Sequence, residues 1–389
     1  MFACAKLGRM SLMLPAAFTS RLSLAAVLTS SVDALCGAAN PLSLGGVDRV
    51  VVVVIDGLGA HSIRARSGHA RFLANRLTKT STIDAGFPTT TAAALATLCT
   101  GTMPGRHGLV GYRVLDTAND RLVNQLNGWD AGLDPATWQR SETVFKRAAG
   151  LGIRTFAIGQ PRYRDSGFTQ AILRGAEYVP AKTVADRFEA ARRILLDPGP
   201  SLTYLYVSEL DTIAHASGWE SSAWTAALES VDAELAALNG LLGRRDGLLV
   251  TADHGVIDVP ATSHVLFDTV PELVDGVEYI GGEPRCLQLY LADRSDASAD
   301  GLAAAWREVE GERAWVATRT EAIESGWFGG AVDAEVLPRI GDVLVAARRR
   351  IAYYDSRDQQ QSGRNMIGQH GSLTPEEMRV PLIGLGAFA

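Results

Sequence analysis

The uninterrupted aliphatic run 50–55, five valines closed by Ile55, constrains this chain more than any other segment. A strand with no polar alternation has to be covered on both faces, which is the pattern of a parallel sheet between helices. Asp56-Gly57-Leu58-Gly59 ends the run in a turn. Comparable strands recur at 155–158, 202–207 and 248–251, separated by helical stretches at 141–149, 184–196 and 223–242. This alternation predicts an α/β fold with a mostly parallel central sheet and helices on both faces.

Between 277 and 354 the texture changes. Short strands at 287–291, 314–317, 342–346 and 351–354, with helices at 299–309 and 321–325, predict a small inserted α+β subdomain. The chain then returns at 368–373 and ends with a strand of the main sheet at 380–385. The expected organisation is an N-terminal helical extension over 1–46 and one domain over 47–389 that carries the insertion. The glutamine-rich loop 355–364 is expected to be mobile.

With 389 residues, 47% hydrophobic and 21% charged, the chain can bury a sizeable core, and wholesale disorder is excluded. Its 37 Lys+Arg against 43 Asp+Glu give a net charge of -6 with no polybasic run, which argues against a nucleic-acid polymer as partner. The four cysteines, Cys4, Cys36, Cys99 and Cys286, are far apart, so neither a disulfide framework nor a thiolate zinc site is implied. Near the N-terminus Arg21 splits the apolar residues, and neither half approaches the roughly 18 needed to span a membrane. A broken apolar region and a loose cleavage site also argue against a secretion signal, so a cytoplasmic protein is expected.

In open α/β sheets ligands bind outside the carboxyl ends of the strands. Asp56 follows the first strand; Asp211, with His215 four residues on, follows 202–207; Asp253-His254 follows 248–251; and His370 sits in the turn Gly368-Gln369-His370-Gly371. Residues four apart share a helix face, so Asp211 and His215 can grip one ion. Three carboxylates and three imidazoles exceed one tetrahedral site and suit two divalent cations roughly 3.5 to 4 Å apart. The histidines favour zinc, and manganese is compatible. Glu209 stands near enough in sequence to be a partner for a ligating histidine. Thr89, Thr90 and Thr91, after Phe87-Pro88 and at the head of a predicted helix, are N-cap residues that could also present a nucleophilic hydroxyl. His264 reads as a loop residue and His107 as a structural hydrogen-bonding one.

Taken together, Asp56-Gly57, Phe87-Pro88-Thr89-Thr90-Thr91, Thr100-Gly101, His107-Gly108, Asp211…His215, Asp253-His254-Gly255 and His370-Gly371 resemble the alkaline phosphatase superfamily, within it the nucleotide pyrophosphatase/phosphodiesterase branch. The resemblance runs from about Val47 to the C-terminus. It implies that Asp56, Thr91, Asp253 and His254 surround one cation and that Asp211, His215 and His370 hold the other. Thr91 is then the nucleophile, forming a phosphothreonine intermediate on a small phosphorylated substrate. Ala92-Ala93-Ala94 replaces the aromatic residue and Pro-Asn-His common in the family, so no nucleotide preference is implied. Gly111-Tyr112 stands where the family tends to place an asparagine. The same residues would also serve a phosphomonoesterase, phosphonate hydrolase or phosphotransferase. A non-catalytic metal-binding relative is the contrasting class.

Overall fold

The structure, a computed structural model, describes residues 14–15, 22–358 and 362–389. Cys4, the basic residues Lys6, Arg9 and Arg21, and Gln359–Gln361 of the glutamine-rich loop lie outside the described residues.

Seven strands form the main sheet: β1 Arg49–Ile55, β2 Thr82–Asp84, β3 Arg154–Gly159, β4 Glu177–Pro180, β5 Ser201–Val207, β6 Asp246–Thr251 and β7 Arg379–Gly386. Their order across the sheet is β2-β7-β6-β1-β5-β3-β4. The five strands from β6 to β4 run parallel, while β7 lies antiparallel to β6 and β2 antiparallel to β7. Val50 to Ile55 are all fully buried, so the aliphatic run is the centre of the sheet. The helices Val184–Leu196 and Ser222–Asn239 begin at side-chain caps, Thr183 in a capping box and Ser221 on the Trp224 amide, which satisfy otherwise orphaned N–H groups.

The helix Ala25–Leu35 is part of this core: Leu24, Val27 and Leu28 are fully buried. It packs against the helix Thr91–Thr100 so tightly that a Cβ on Gly101 would meet Thr29 at 2.3 Å. Among the described residues no helix is long and apolar enough to cross a membrane.

A second, antiparallel six-stranded sheet takes the order Ala314–Thr318, Val343–Ala347, Cys286–Leu291, Val277–Glu283, Arg113–Asp116, Arg121–Asn124. Its edge hairpin comes from 113–124, outside the stretch expected to hold the insertion. The strand expected at 351–354 is Ala352–Tyr354, and it pairs with His264–Leu266 instead of joining this sheet. The helix Asp296–Glu310 covers one face, burying Leu302, Ala303 and Trp306 against Leu287, Leu289, Val343 and Val345.

Because β6, β1 and β5 are neighbours, their carboxyl ends lie side by side, with Ile55 opposite Val207 and Val54 opposite Thr251. Residues 150 to 200 positions apart in the chain therefore leave the sheet at one edge.

Candidate metal centre and nucleophile

Local structure aims each group at that edge. The helix Glu209–Ser217 starts two residues after β5 and carries Asp211 and His215 on one face. Asp253 and His254 follow β6 after Ala252 and are fully buried. Gly368–Gln369 pairs with Ile257–Asp258, which brings His370 back beside them. The helix Thr91–Thr100 points its N-terminus into the same space, with Thr90 extended at the N-cap position.

The three threonines are not equivalent. The Thr89 hydroxyl donates to the Ser372 carbonyl at 2.7 Å and accepts from the Gly371 amide at 3.0 Å. Thr90 stands near Glu283 and opposes the rise of its carboxyl pKa. Thr91 Oγ1 lies 3.2 Å from His254 Nε2.

Each imidazole has Nδ1 against a carbonyl: His215 with Gly368 at 2.7 Å, His370 with Thr89 at 2.9 Å and His254 with Gly255 at 3.2 Å. That assigns the Nδ1 proton to the carbonyl and turns Nε2 toward the carboxylates, as a lone pair at His254 and His370 and within hydrogen-bond reach of Asp211 at His215. Each aspartate in turn has one oxygen engaged and one buried oxygen without a hydrogen-bond partner. Asp253 Oδ1 accepts from the Gly57 and His254 amides at 3.2 and 2.9 Å, leaving Oδ2. Asp211 Oδ2 lies 3.1 Å from His215 Nε2, leaving Oδ1, 3.9 Å from His370 Nε2. Asp56 Oδ2 accepts from the Tyr206 hydroxyl, leaving Oδ1, 3.5 Å from His254 Nε2.

Donor atoms of Asp211, His215 and His370 lie within 4.8 Å of one another, as do those of Asp56, Asp211 and His254. Asp211 is common to both groups.

The electrostatics are frustrated. Burial, then the charges of Asp253 and Asp211, push the Asp56 carboxyl well above its usual range. Burial, then the neighbouring His254, hold His370 well below the ordinary imidazole value. Burial would raise Asp211 too, but the attraction of His215 outweighs it and leaves Asp211 low. The His254 and His370 rings stack at 3.8 Å. Unpaired buried carboxylate oxygens facing imidazole lone pairs are costly unless positive charge lies between them. The donor set therefore fits divalent cations.

Two contributors carry no sequence signal of their own. Tyr206 is one of several aromatic and aliphatic residues in β5. Burial, then the Asp56 charge, push its phenol well above its ordinary value, which keeps it a donor. Glu283 ends the strand Val277–Glu283 of the second sheet and reaches His370 Nδ1 at 3.4 Å. Its carboxyl is raised well above the usual range by burial, which outweighs the opposing influence of Thr90.

Glu209 does not partner a histidine. It binds the fully buried Arg187 and, at 3.1 Å, Gln160. His264 belongs to a strand rather than a loop and packs against the Tyr354 ring. His107 is buried between the Thr97 hydroxyl at 3.0 Å and the Leu109 amide at 3.1 Å, away from the carboxylates. The Gly111 amide is held by Gln125 Oε1 at 3.2 Å.

The family whose model matches, type I phosphodiesterase / nucleotide pyrophosphatase, covers residues 50–373. No curated protein matches the chain in sequence. Among solved structures, murine ectonucleotide pyrophosphatase / phosphodiesterase 5 is similar at 17% identity and a TM-score of 0.65, over 86% of this chain and 87% of that one. Phosphonoacetate hydrolase from Sinorhizobium meliloti 1021 is similar at 19% identity and a TM-score of 0.66, over 88% and 92%. On the family match across most of its length, the chain belongs to the type I phosphodiesterase / nucleotide pyrophosphatase family.

Proposed function

We propose that the chain is a two-cation phosphoester hydrolase, acting on phosphodiesters or pyrophosphates, with Thr91 as nucleophile. The observation that carries this reading is the contact of Thr91 with His254 beside three half-engaged aspartates. Asp56, Asp253 and His254 would hold one divalent cation next to Thr91, and Asp211, His215 and His370 the other. Bound there, the cations supply charge neutralisation for the phosphoryl group and make hydroxyl deprotonation accessible at neutral pH.

The chain's own part is positional. Thr91 Oγ attacks phosphorus in line and the ester oxygen leaves, giving phosphothreonine, which a water then hydrolyses to regenerate the hydroxyl. The first amides of the helix Thr91–Thr100 have no intrahelical acceptor and can donate to phosphoryl oxygens. Thr89 anchors the turn to the His370 loop, so the nucleophile and one ligand move as a unit. The murine neighbour supports a threonine in this role, since its inactive form, solved with AMP, carries a threonine-to-alanine change.

Thr91→Ala is expected to lower turnover of bis(4-nitrophenyl) phosphate by on the order of 10,000-fold or more, as nucleophile removal does elsewhere. Wild-type turnover in that variant would refute the assignment. A phosphonate hydrolase is the second reading, favoured by the shared fold with phosphonoacetate hydrolase and by Ala92-Ala93-Ala94 beside the nucleophile. Phosphate release from phosphonoacetate, compared with diester cleavage, separates the two.

A further inference from the structure

Asp253 and Asp211 have their engaged oxygens held by backbone amides and by a histidine, but Asp56 is held by a tyrosine side chain. Tyr206 lies opposite Val54 in the parallel pair of β5 with β1, so its side chain leaves the sheet beside the carboxyl end of β1. Its position is over-determined. The fully buried Arg187 donates to the Tyr206 carbonyl at 2.7 Å, which pins the backbone. Its ring stacks on Tyr204 at 6.2 Å with an interplanar angle of 11° and meets Tyr163 edge-on at the same distance. The phenol therefore has one orientation, and in that orientation it occupies Asp56 Oδ2 while Oδ1 stays buried and unpartnered.

We propose that Tyr206 is the positioning residue for Asp56: its hydroxyl holds Oδ2 and leaves Oδ1 as the single oxygen offered to the cation beside Thr91. A carboxylate free at both oxygens can chelate one cation or bridge two. A carboxylate with one oxygen engaged binds through the other, in one direction. Hydrogen bonds to ligating carboxylates orient and tune them. This assignment rests on the two-cation reading of the site.

The test uses metal-stripped wild-type protein, Tyr206→Phe and Tyr204→Phe, the last removing a buried phenol from the stacked neighbour. Calorimetric titration with Zn²⁺ and with Mn²⁺ reads each site's affinity, and thermal melting of the metal-free proteins reads the fold. Tyr206→Phe is expected to bind one of the two cations about 10- to 100-fold more weakly, the range seen when partners of metal ligands are removed. The affinity for the other cation and both affinities of Tyr204→Phe should match wild type, and metal-free Tyr206→Phe should still melt in one cooperative transition, at a somewhat lower temperature because Asp56 Oδ2 loses its donor. On bis(4-nitrophenyl) phosphate, kcat should fall while KM changes little. Two cations bound by Tyr206→Phe with wild-type affinity would overturn the assignment, as would a rise in KM alone, which would make Tyr206 a substrate contact. Wild-type protein that binds no cation would instead overturn the two-cation reading itself.

Discussion

At Asp56, Asp211 and Asp253 the two oxygens of one carboxylate differ, one engaged and one bare. Sequence shows an acid after a strand but not which lone pair is free, so the acids and histidines were legible while Tyr206 was not. His107 illustrates a different residue-level effect. Burial, then the Arg339 charge, lower its imidazole to about 3, so the native state holds it neutral. Its unfolded value is near 6.5, so between that pH and about 3 the unfolded chain binds a proton that the folded chain refuses. The His107 contribution is thus complete above pH 6.5 and is lost as pH falls, with a limiting slope of about 1.4 kcal/mol per pH unit. His107→Gln should lower stability at pH 7 yet flatten the loss between pH 6.5 and 4. Urea unfolding across that range checks it, and parallel slopes would count against the burial argument.

The elements that build the site are turns brought together by pairing, not regular structure. The hairpin tip Glu283-Pro284-Arg285-Cys286 of the second sheet places Glu283 against the turn of the late histidine. There Gly371 has φ +125°, and a Cβ would meet the Glu283 side chain at 2.6 Å. Gly371→Ala is expected to cost about 1 to 3 kcal/mol from the backbone conformation alone. Guanidinium denaturation measures it, and an unchanged midpoint would show that this turn relaxes to a conformation that carries a methyl group. The helices expected at 184–196 and 223–242, observed as Val184–Leu196 and Ser222–Asn239, were legible because helix-forming stretches between strands are local signals. The role of Glu283 was not, since a glutamate ending a strand gives no hint of which turn it will meet.

Across the whole molecule, the fully buried pair Arg285–Glu377 joins the second sheet to the segment after His370 through two contacts of 2.8 Å. Glu377 also accepts from the Ser372 amide, and its carbonyl accepts from the Gly255 amide next to His254. The pair therefore ties both sheets to the site. Removing one partner strands a buried charge, so Arg285→Met alone should cost about 3 to 5 kcal/mol, whereas Arg285→Met with Glu377→Leu should recover much of that. A double-mutant cycle by chemical denaturation decides it; additive losses would mean that the pair acts as two independent residues.

The amino-acid sequence alone determined the buried parallel core, the acids and imidazoles at strand ends and the threonine turn, because hydrophobic run length and residue spacing are properties of short segments. Only the tertiary structure decided that β6, β1 and β5 lie side by side, that β7 runs against them, that Thr91 rather than Thr89 or Thr90 meets His254, and which oxygen of each aspartate is free. Strand order, and the lone-pair directions at Asp56 and Asp253, depend on pairings between residues distant in the chain, such as Val54 with Tyr206 and Gly57 with Asp253, which no local pattern encodes.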